Sequence, residues 1–198
     1  MKITDINQLH QFIEQFNFAT LISHVNGKLN VSHIPVMLNR NENTHGMLAW
    51  HLAKQNPHAR ELDGSENALF IFHGPHAYVS PNWYKSSPSV PTWNYAVVHA
   101  YGNPKQASHE QLESDLSQMV MQHEGDSHYS IPDDYQRKLM DHIVGFRMEI
   151  TKIEGIFKLG QNRSQEDQSG MLAGLQSHSA ALAEFIQSTH KKHPNENK

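Results

Sequence analysis

The chain has 198 residues, enough for one domain with or without a helical appendage, and its hydrophobic share of 37% can fill a single core. It contains no cysteine, which excludes disulfide bonds and thiolate metal sites, and no apolar run of about 18 residues, the length that crosses a membrane. The formal net charge is −4 and no basic stripe is present, which argues against direct DNA binding, since that binding needs cations to neutralise phosphates. We expect a cytoplasmic protein without a membrane segment.

The first half of the chain predicts one helix and then a series of strands. Apolar residues recur at helical spacing after residue 5, and Thr4 or Asp5 can cap that helix. The pair Asn26-Gly27 favours a type I′ turn and therefore predicts a β-hairpin. The strands predicted in this half lie at residues 18–24, 28–38, 46–52, 68–72 and 77–80.

The second half predicts strands together with helices. Ser108 opens a capping-box pattern, and Pro132 favours the first turn of a second short helix. Ser164 with Asp167 is typical of the cap of one C-terminal amphipathic helix. Strands are predicted at residues 95–102 and 145–151. Because strands and helices rarely alternate, we expect an antiparallel barrel with helices at its edge rather than a doubly wound parallel sheet.

The first of three motif blocks is segment 50–58, which follows a predicted strand. Its side chains His51, Lys54 and Asn56 offer hydrogen-bond donors that suit a phosphate or ribityl hydroxyls. The alternative is that Lys54 is an ordinary solvated lysine at the end of a strand.

The second block covers residues 73–84 and 90–95 and is rich in Trp, Tyr and Pro. Aromatic rings with a polar atom suit a ring-binding pocket or a subunit interface, although they can also plug the end of a barrel. His73 and His76 form an HxxH pair that His51 or His99 could join. However, Gly-Pro between them breaks the helix that would align the pair, and no nearby carboxylate completes a ligand set, so we expect no metal site.

The third block lies at residues 145–164. Its first half alternates apolar and charged residues, as a half-buried strand does. Its second half places basic and amide side chains at the start of the last helix, which predicts either an anion site or only a helix cap. Those side chains are Lys158, Gln161, Asn162, Arg163 and Ser164.

Together the three blocks resemble the PaiB-like family, the FMN-binding negative transcriptional regulators of the split-barrel superfamily. The resembling segments are residues 51–57, 74–84, 90–102 and 154–164; they follow the family's order, and the likeness extends from residue 1 to about 187. One departure is Gly160, where the family pattern has serine, and this change removes a hydroxyl from the predicted anion site.

The resemblance implies a mainly β (α+β) fold, a six-stranded antiparallel Greek-key split β-barrel with flanking and C-terminal helices. It implies a domain at residues 1–187, with a helical insert at about 106–143, and a flexible tail at 188–198. It also implies a homodimer with FMN at the subunit interface. The phosphate would lie at His51 and Lys54, and the ring would lie against the partner chain's Trp93-Asn94 or 158–162 segment. The candidate cofactor-binding residues are His51, Lys54, Asn56, Trp93, Asn94, Lys158, Gln161, Asn162, Arg163 and Ser164.

The function implied by the resemblance is negative transcriptional regulation or redox sensing. The sequence contains no Gly-x-Ser-x-Gly, P-loop, Gly-x-Gly-x-x-Gly or His-Glu-x-x-His motif, so we assign no catalytic residue. The alternatives are a flavin-dependent oxidoreductase that uses NAD(P)H, a haem-binding or haem-degrading split barrel, and a flavin-free DNA-binding repressor.

Overall fold

The computed structural model describes residues 2–25, 27–62, 64, 67–125 and 131–192. They form two compact units. The first unit contains residues 1–3, 73–97 and 155–198, and the second unit contains residues 4–72 and 98–154. The predicted turn residue Asn26 lies outside the described residues, as does the end of the predicted tail, residues 193–198.

The chain forms ten strands and six helices within the described residues. The strands are β1 (Lys2–Ile3), β2 (Phe18–Val25), β3 (Lys28–Pro35), β4 (Met37–Asn39), β5 (Met47–Ala53), β6 (Ala68–Val79), β7 (Thr92–Gly102), β8 (Pro104–Gln106), β9 (Ile143–Glu149) and β10 (Lys152–Lys158). The helices are α1 (Ile6–Gln15), α2 (Pro57–Glu61), α3 (His109–Glu124), α4 (Asp133–Met140), α5 (Gln165–His178) and α6 (Ala180–Lys192), with a 3-10 turn at Pro81–Trp83.

The strands form a six-stranded sheet in the order β1-β10-β7-β6-β2-β3 and a four-stranded sheet in the order β4-β5-β9-β8. The pairs β1–β10, β2–β3, β2–β6, β4–β5, β5–β9 and β8–β9 are antiparallel. Antiparallel sheets accompanied by helices confirm the predicted fold class. In the described part of the chain, no helix is both long enough and apolar enough to span a membrane.

The second unit is built around an aromatic core. The ring of Trp50 on β5 packs edge-on against Phe70, with ring centroids 4.8 Å apart, and stacks on Phe146 of β9 at 5.7 Å. Strand β2 alternates between buried and more exposed residues because only one of its faces covers this core. Helix α1 begins at the predicted cap Asp5, whose carboxylate accepts a hydrogen bond of 2.9 Å from the Asn7 N–H.

The first unit is held by α5 and α6. Both helices bury apolar side chains, and Phe157 of β10 packs edge-on against Phe185 of α6 at 5.6 Å. Gly160 follows β10 with a φ of +76°, a conformation that glycine adopts without strain. A Cβ at this position would lie 2.9 Å from the Met171 sulfur. Glycine at 160, the departure from the family pattern, therefore fits the local backbone and packing.

Several predicted elements are wrong in their extent. The strand predicted at 28–38 is two strands, β3 and β4, which belong to different sheets. The strands predicted at 68–72 and 77–80 are one strand, β6, because Gly74-Pro75 does not interrupt it. The pairing of β6 with β2 ends at Phe72, so the missing N–H of Pro75 removes no hydrogen bond from that ladder. The single C-terminal helix is two helices separated at Ser179, and the second continues to Lys192, beyond the predicted boundary at 187.

Candidate functional site

In the second unit, the end of β5 carries two of the predicted cofactor residues. His51 is half-buried, and this burial lowers the pKa of its imidazole, which favours the neutral ring. Lys54 follows β5 directly, and its backbone N–H donates to the carbonyl of His142 at 2.9 Å. Its side chain is exposed and forms no hydrogen bond or ion pair with any described residue. Lys54 is therefore available to an anion.

Asn56 has a role in the fold of the second unit. Its side-chain oxygen accepts a hydrogen bond of 3.0 Å from the His58 N–H and so caps α2. The buried His58 ring lies between the hydroxyls of Ser23 and Ser32, each at 2.9 Å, and burial is the main cause that lowers its pKa. The sequence analysis missed this Ser-His-Ser network, because its members come from three separate elements. Since all three side chains are buried, the network serves the fold rather than a substrate.

In the first unit, Trp93 lies at the centre of an exposed aromatic cluster. Its side chain is 56% exposed, and its ring lies 6.3 Å from the ring of Tyr78 and 6.3 Å from that of His76, measured between centroids. Tyr78 is itself 44% exposed. Such large apolar rings in solvent offer a stacking surface to a planar ligand or to a partner chain. Trp93, Tyr78 and His76 together form the aromatic cluster of the first unit.

Asn94, the neighbour of Trp93, is directed into the core of the first unit. It is 1% exposed, and its amide nitrogen lies 3.1 Å from the Met171 sulfur. Strand geometry explains the contrast, because successive side chains on β7 point to opposite faces. Asn94 therefore supports the packing around α5 and does not share the exposed surface of Trp93.

Most of the candidate polar residues at the end of β10 and in the turn that follows have hydrogen-bond partners within the first unit. The Lys158 ammonium donates to the Thr92 hydroxyl at 2.6 Å. The Gln161 amide donates to the Phe157 carbonyl at 2.6 Å and accepts from the Leu159 N–H at 2.8 Å, which closes its own turn. Asn162 is exposed at the same turn.

The start of α5 is capped by its own side chains. The Ser164 hydroxyl accepts from the Asp167 N–H at 3.2 Å, and the guanidinium of Arg163 lies 4.4 Å from the centre of the Tyr84 ring. The buried Asp167 carboxylate accepts from the N–H groups of Lys85 and Ser86 at 2.7 and 3.0 Å, and also from the Ser86 hydroxyl. Hydrogen bonds from Ser86 are the main cause that lowers the pKa of Asp167. A phosphate here would meet this negative charge, so the geometry favours the capping interpretation.

The predicted site residues thus fall into two sets. His51, Lys54 and Asn56 belong to the second unit, whereas the other candidates, at positions 93–94 and 158–164, belong to the first. Within these sets, Lys54 offers an unpaired cation and Trp93 an exposed ring, two features that fit the phosphate and the planar ring of a flavin. No three His, Asp or Glu side chains of the described residues are placed to hold a metal ion. His73 and His76 lie on strand β6, where side chains three apart point to opposite faces.

Comparison with protein families gives a match over residues 1–152 to a family described as "Putative FMN-binding domain". The chain belongs to this family. The Bacillus subtilis protein named "Protease synthase and sporulation protein PAI 2" is 32% identical over 202 residues, which cover 96% of each chain. A protein of Emericella nidulans is 31% identical over 186 residues, covering 73% of this chain and 74% of that one. The predicted resemblance to the PaiB-like family is confirmed.

Two solved structures support the fold. The FAD and haem binding protein from Mycobacterium smegmatis aligns with a TM-score of 0.62 at 12% identity and covers 79% of this chain and 73% of its own. The flavocytochrome Anf3 from Azotobacter vinelandii aligns with a TM-score of 0.57 at 13% identity, covering 85% of this chain and 74% of its own. At these identities the similarity is one of fold, and it agrees with the predicted split-barrel class.

Proposed function

We propose that this protein binds FMN as a homodimer and works as a PaiB-like regulatory or redox-sensing flavoprotein. The observation that carries the proposal is that a member of an FMN-binding family has, on its second unit, a lysine after β5 that pairs with no described residue and, on its first unit, an exposed aromatic cluster. Bound FMN supplies reversible uptake of electrons or hydride at its ring system, chemistry that protein side chains lack.

Lys54 is our candidate for the flavin phosphate. An exposed ammonium without a competing carboxylate can pair with a phosphate at little desolvation cost. His51 suits this role less well, because its burial favours the uncharged imidazole. Asn56 already caps α2, so its effect on the phosphate would be indirect, through the position of the loop that carries Lys54.

The aromatic cluster is our candidate surface for the flavin ring. Stacking on Trp93 would cover apolar area that now faces water, and offset ring stacking adds to that gain. The Lys158 ammonium on the same unit could donate to a carbonyl of the ring after leaving the Thr92 hydroxyl.

The homodimer is supported by exposed apolar side chains on one sheet face of the second unit, where the polar pair Thr20–His33 lies between them. Strand β3 is at the edge of the six-stranded sheet, and its register with β2 places Leu29 and Val31 on the same face as Phe18. These three side chains are 71%, 56% and 64% exposed, respectively. An exposed apolar edge strand is an aggregation hazard unless another chain covers it. We infer that a second copy of the protein covers this face.

The regulatory part of the proposal comes from the family resemblance and from the similarity to PAI 2, whose name refers to protease synthesis and sporulation. The net charge of −4 does not favour direct DNA binding, which depends on cations that neutralise phosphates. We therefore propose that the flavin state, or a further partner, carries the regulatory signal.

A flavin titration tests the ligand. Purified protein should quench the fluorescence of added FMN, and its visible spectrum should show flavin bands rather than the Soret band of haem. Absence of quenching at micromolar FMN, or a Soret band without flavin bands, contradicts the proposal.

Two matched substitutions test the residues. Lys54→Ala should weaken FMN binding about tenfold, the effect of losing one charged hydrogen bond, but leave riboflavin binding unchanged because riboflavin has no phosphate. Lys138→Ala, at an exposed lysine of α4, is the matched control and should change the affinity for neither FMN nor riboflavin. Trp93→Ala should weaken binding of both flavins, whereas Tyr135→Ala, at a tyrosine that is also 56% exposed, should not. If Lys54→Ala and Lys138→Ala change FMN affinity equally, Lys54 does not belong to the proposed site. The same holds for Trp93 if Trp93→Ala and Tyr135→Ala have equal effects.

Sedimentation equilibrium tests the dimer. The wild-type protein should sediment with twice the mass of the chain, and Val31→Asp should shift it towards the monomer. Met121→Asp, at an exposed apolar residue of α3, is the matched control and should leave the mass unchanged. A monomeric wild-type protein would refute the dimer without affecting the flavin titration.

A further inference from the structure

The helical insert of the second unit borders a cavity that is partly open to solvent. It has a volume of about 530 Å³ and lies among α3, α4 and the ends of β5 and β9. Its apolar wall includes Leu116 and Val120 of α3, Leu139 of α4 and Ile143 of β9. Small-molecule sites in proteins have volumes of roughly 300–1,000 Å³ and are mostly apolar, so both the size and the lining are those of a binding site.

The described residues contribute few polar groups to this cavity. They are the rings of His51 and His142, the Ser117 hydroxyl and the Gln136 amide. Among the described residues, no Asp, Glu, Lys or Arg side chain contributes to the lining. A charged ligand would therefore lose its hydration without meeting an acidic side chain, a lysine or an arginine of the described residues, whereas a neutral ligand would meet apolar walls and a few hydrogen-bonding atoms.

The cavity leaves apolar surface exposed to water. Leu139 is 43% exposed although it belongs to the cavity wall, and Leu116 and Val120 are only half-buried. Helix α3 is fixed to β9 by an ion pair in which Arg147 donates to the Asp115 carboxylate at 2.9 and 2.5 Å. Because this pair anchors the helix, the space is not easily closed by inward movement of α3, and a ligand can fill it instead.

We propose that this cavity is a second ligand site, which binds a neutral, largely apolar small molecule through its aliphatic walls and hydrogen bonds to His51 or Gln136. The occupant is a compound without a phosphate or carboxylate and therefore differs in chemical class from FMN. His51 is the one residue that this site shares with the candidate flavin residues, and the structure assigns it to the cavity. The proposal does not depend on flavin binding.

The test uses two fluorescent probes of similar size, neutral 1-aminoanthracene and anionic anthracene-2-carboxylate, with the full-length protein. The neutral probe should bind with one site per chain, and the anionic probe should bind at least about tenfold more weakly, a difference of about 1.4 kcal/mol. Saturating FMN should leave the affinity of 1-aminoanthracene unchanged. Displacement by FMN, equal affinity for the two probes, or no binding of the neutral probe would each overturn the proposal.

Substitutions locate the probe. Ser117→Phe places a ring at the cavity wall and should weaken binding of 1-aminoanthracene at least about tenfold. Ser114→Phe, at a second exposed serine of α3 that does not line the cavity, is the matched control and should change the affinity less than about twofold. Val120→Phe provides a second filled variant, and circular dichroism checks that each variant is folded. Unchanged binding in a folded filled variant would place the probe elsewhere and refute the site.

Discussion

Two glycines of α5 should resist replacement by alanine, although alanine is the better helix former. Gly170 and Gly174 lie one turn apart on the same face of the helix, and both face Trp83. In an unobstructed helix, each change to alanine would raise the free energy of unfolding by about 1 kcal/mol. Here a Cβ at 174 would lie 2.3 Å from Cδ2 of the Trp83 ring, and a Cβ at 170 would lie 2.1 Å from the Trp83 carbonyl oxygen. Both distances are far below contact distance.

The two clashes should differ in size because they involve different atoms. The Trp83 ring is half-buried and can move, so we expect Gly174→Ala to lower the free energy of unfolding by about 1–2 kcal/mol after the gain in helix propensity. The Trp83 carbonyl belongs to the backbone of the 3-10 turn, so Gly170→Ala should cost more, about 3 kcal/mol. For a chain of this length, each kcal/mol corresponds to a shift in Tm of about 2–4 °C.

A second substitution separates the two cases. In a Trp83→Ala background the ring is absent, so Gly174→Ala should become stabilising by about 0.5–1 kcal/mol, whereas Gly170→Ala should stay destabilising because the carbonyl remains. Urea unfolding followed by circular dichroism measures all variants, with Ala173→Gly at an exposed position of the same helix as the propensity control. A stabilising Gly174→Ala in the wild-type background, or no change of sign without Trp83, would refute the close packing of Trp83 on α5.

Two further predictions concern the second unit. Asp115→Leu should lower the free energy of unfolding by about 3 kcal/mol because it leaves Arg147 with only a 3.4 Å contact to Glu42, and adding Arg147→Met should recover most of that loss. If urea titrations show that the free-energy changes of the two substitutions simply add in the double variant, this coupling is refuted. Burial lowers the pKa of His58, so its contribution to stability is complete above the ordinary pKa of about 6.5 and is lost as the pH falls below that value. The free energy of unfolding of His58→Gln should therefore fall less on acidification than that of the wild-type protein. Equal pH dependence of the two proteins in urea unfolding would contradict this prediction.

The fold could be predicted where local signals and tertiary packing agree. Asp5 and Ser164 cap helices as their sequence contexts indicate, and β2 and β3 form the predicted hairpin pair. The missed strand β10 shows where the local signal is weak. Its buried positions include Gly155, which lacks a side chain, so the alternation of apolar residues that reveals a strand is incomplete there. The strands β1 and β8 have two and three residues, too few for any periodic pattern.

The break between α5 and α6 could not be predicted for a different reason. No glycine or proline marks Ser179, and the apolar pattern continues across it. The structure ends α5 there because Ser179 leaves the helical conformation, and its carbonyl then accepts hydrogen bonds of 3.1 Å from both Leu182 and Ala183. This exchange of hydrogen-bond partners allows Leu182 and Ile186 to be fully buried.

The site was harder to predict than the fold, since a motif identifies a family without stating what each of its residues does. Gln161 and Ser164 belong to the third motif block, yet their polar atoms bind their own backbone segment, so the fold alone gives a reason for their presence. The same is true of Asn56 at the start of α2. Lys54 and Trp93 remain without such a reason, because both side chains are exposed and neither is used to close a turn or cap a helix. A polar or aromatic residue that the fold does not use is the better candidate for a ligand contact, and only the folded structure shows which residues these are.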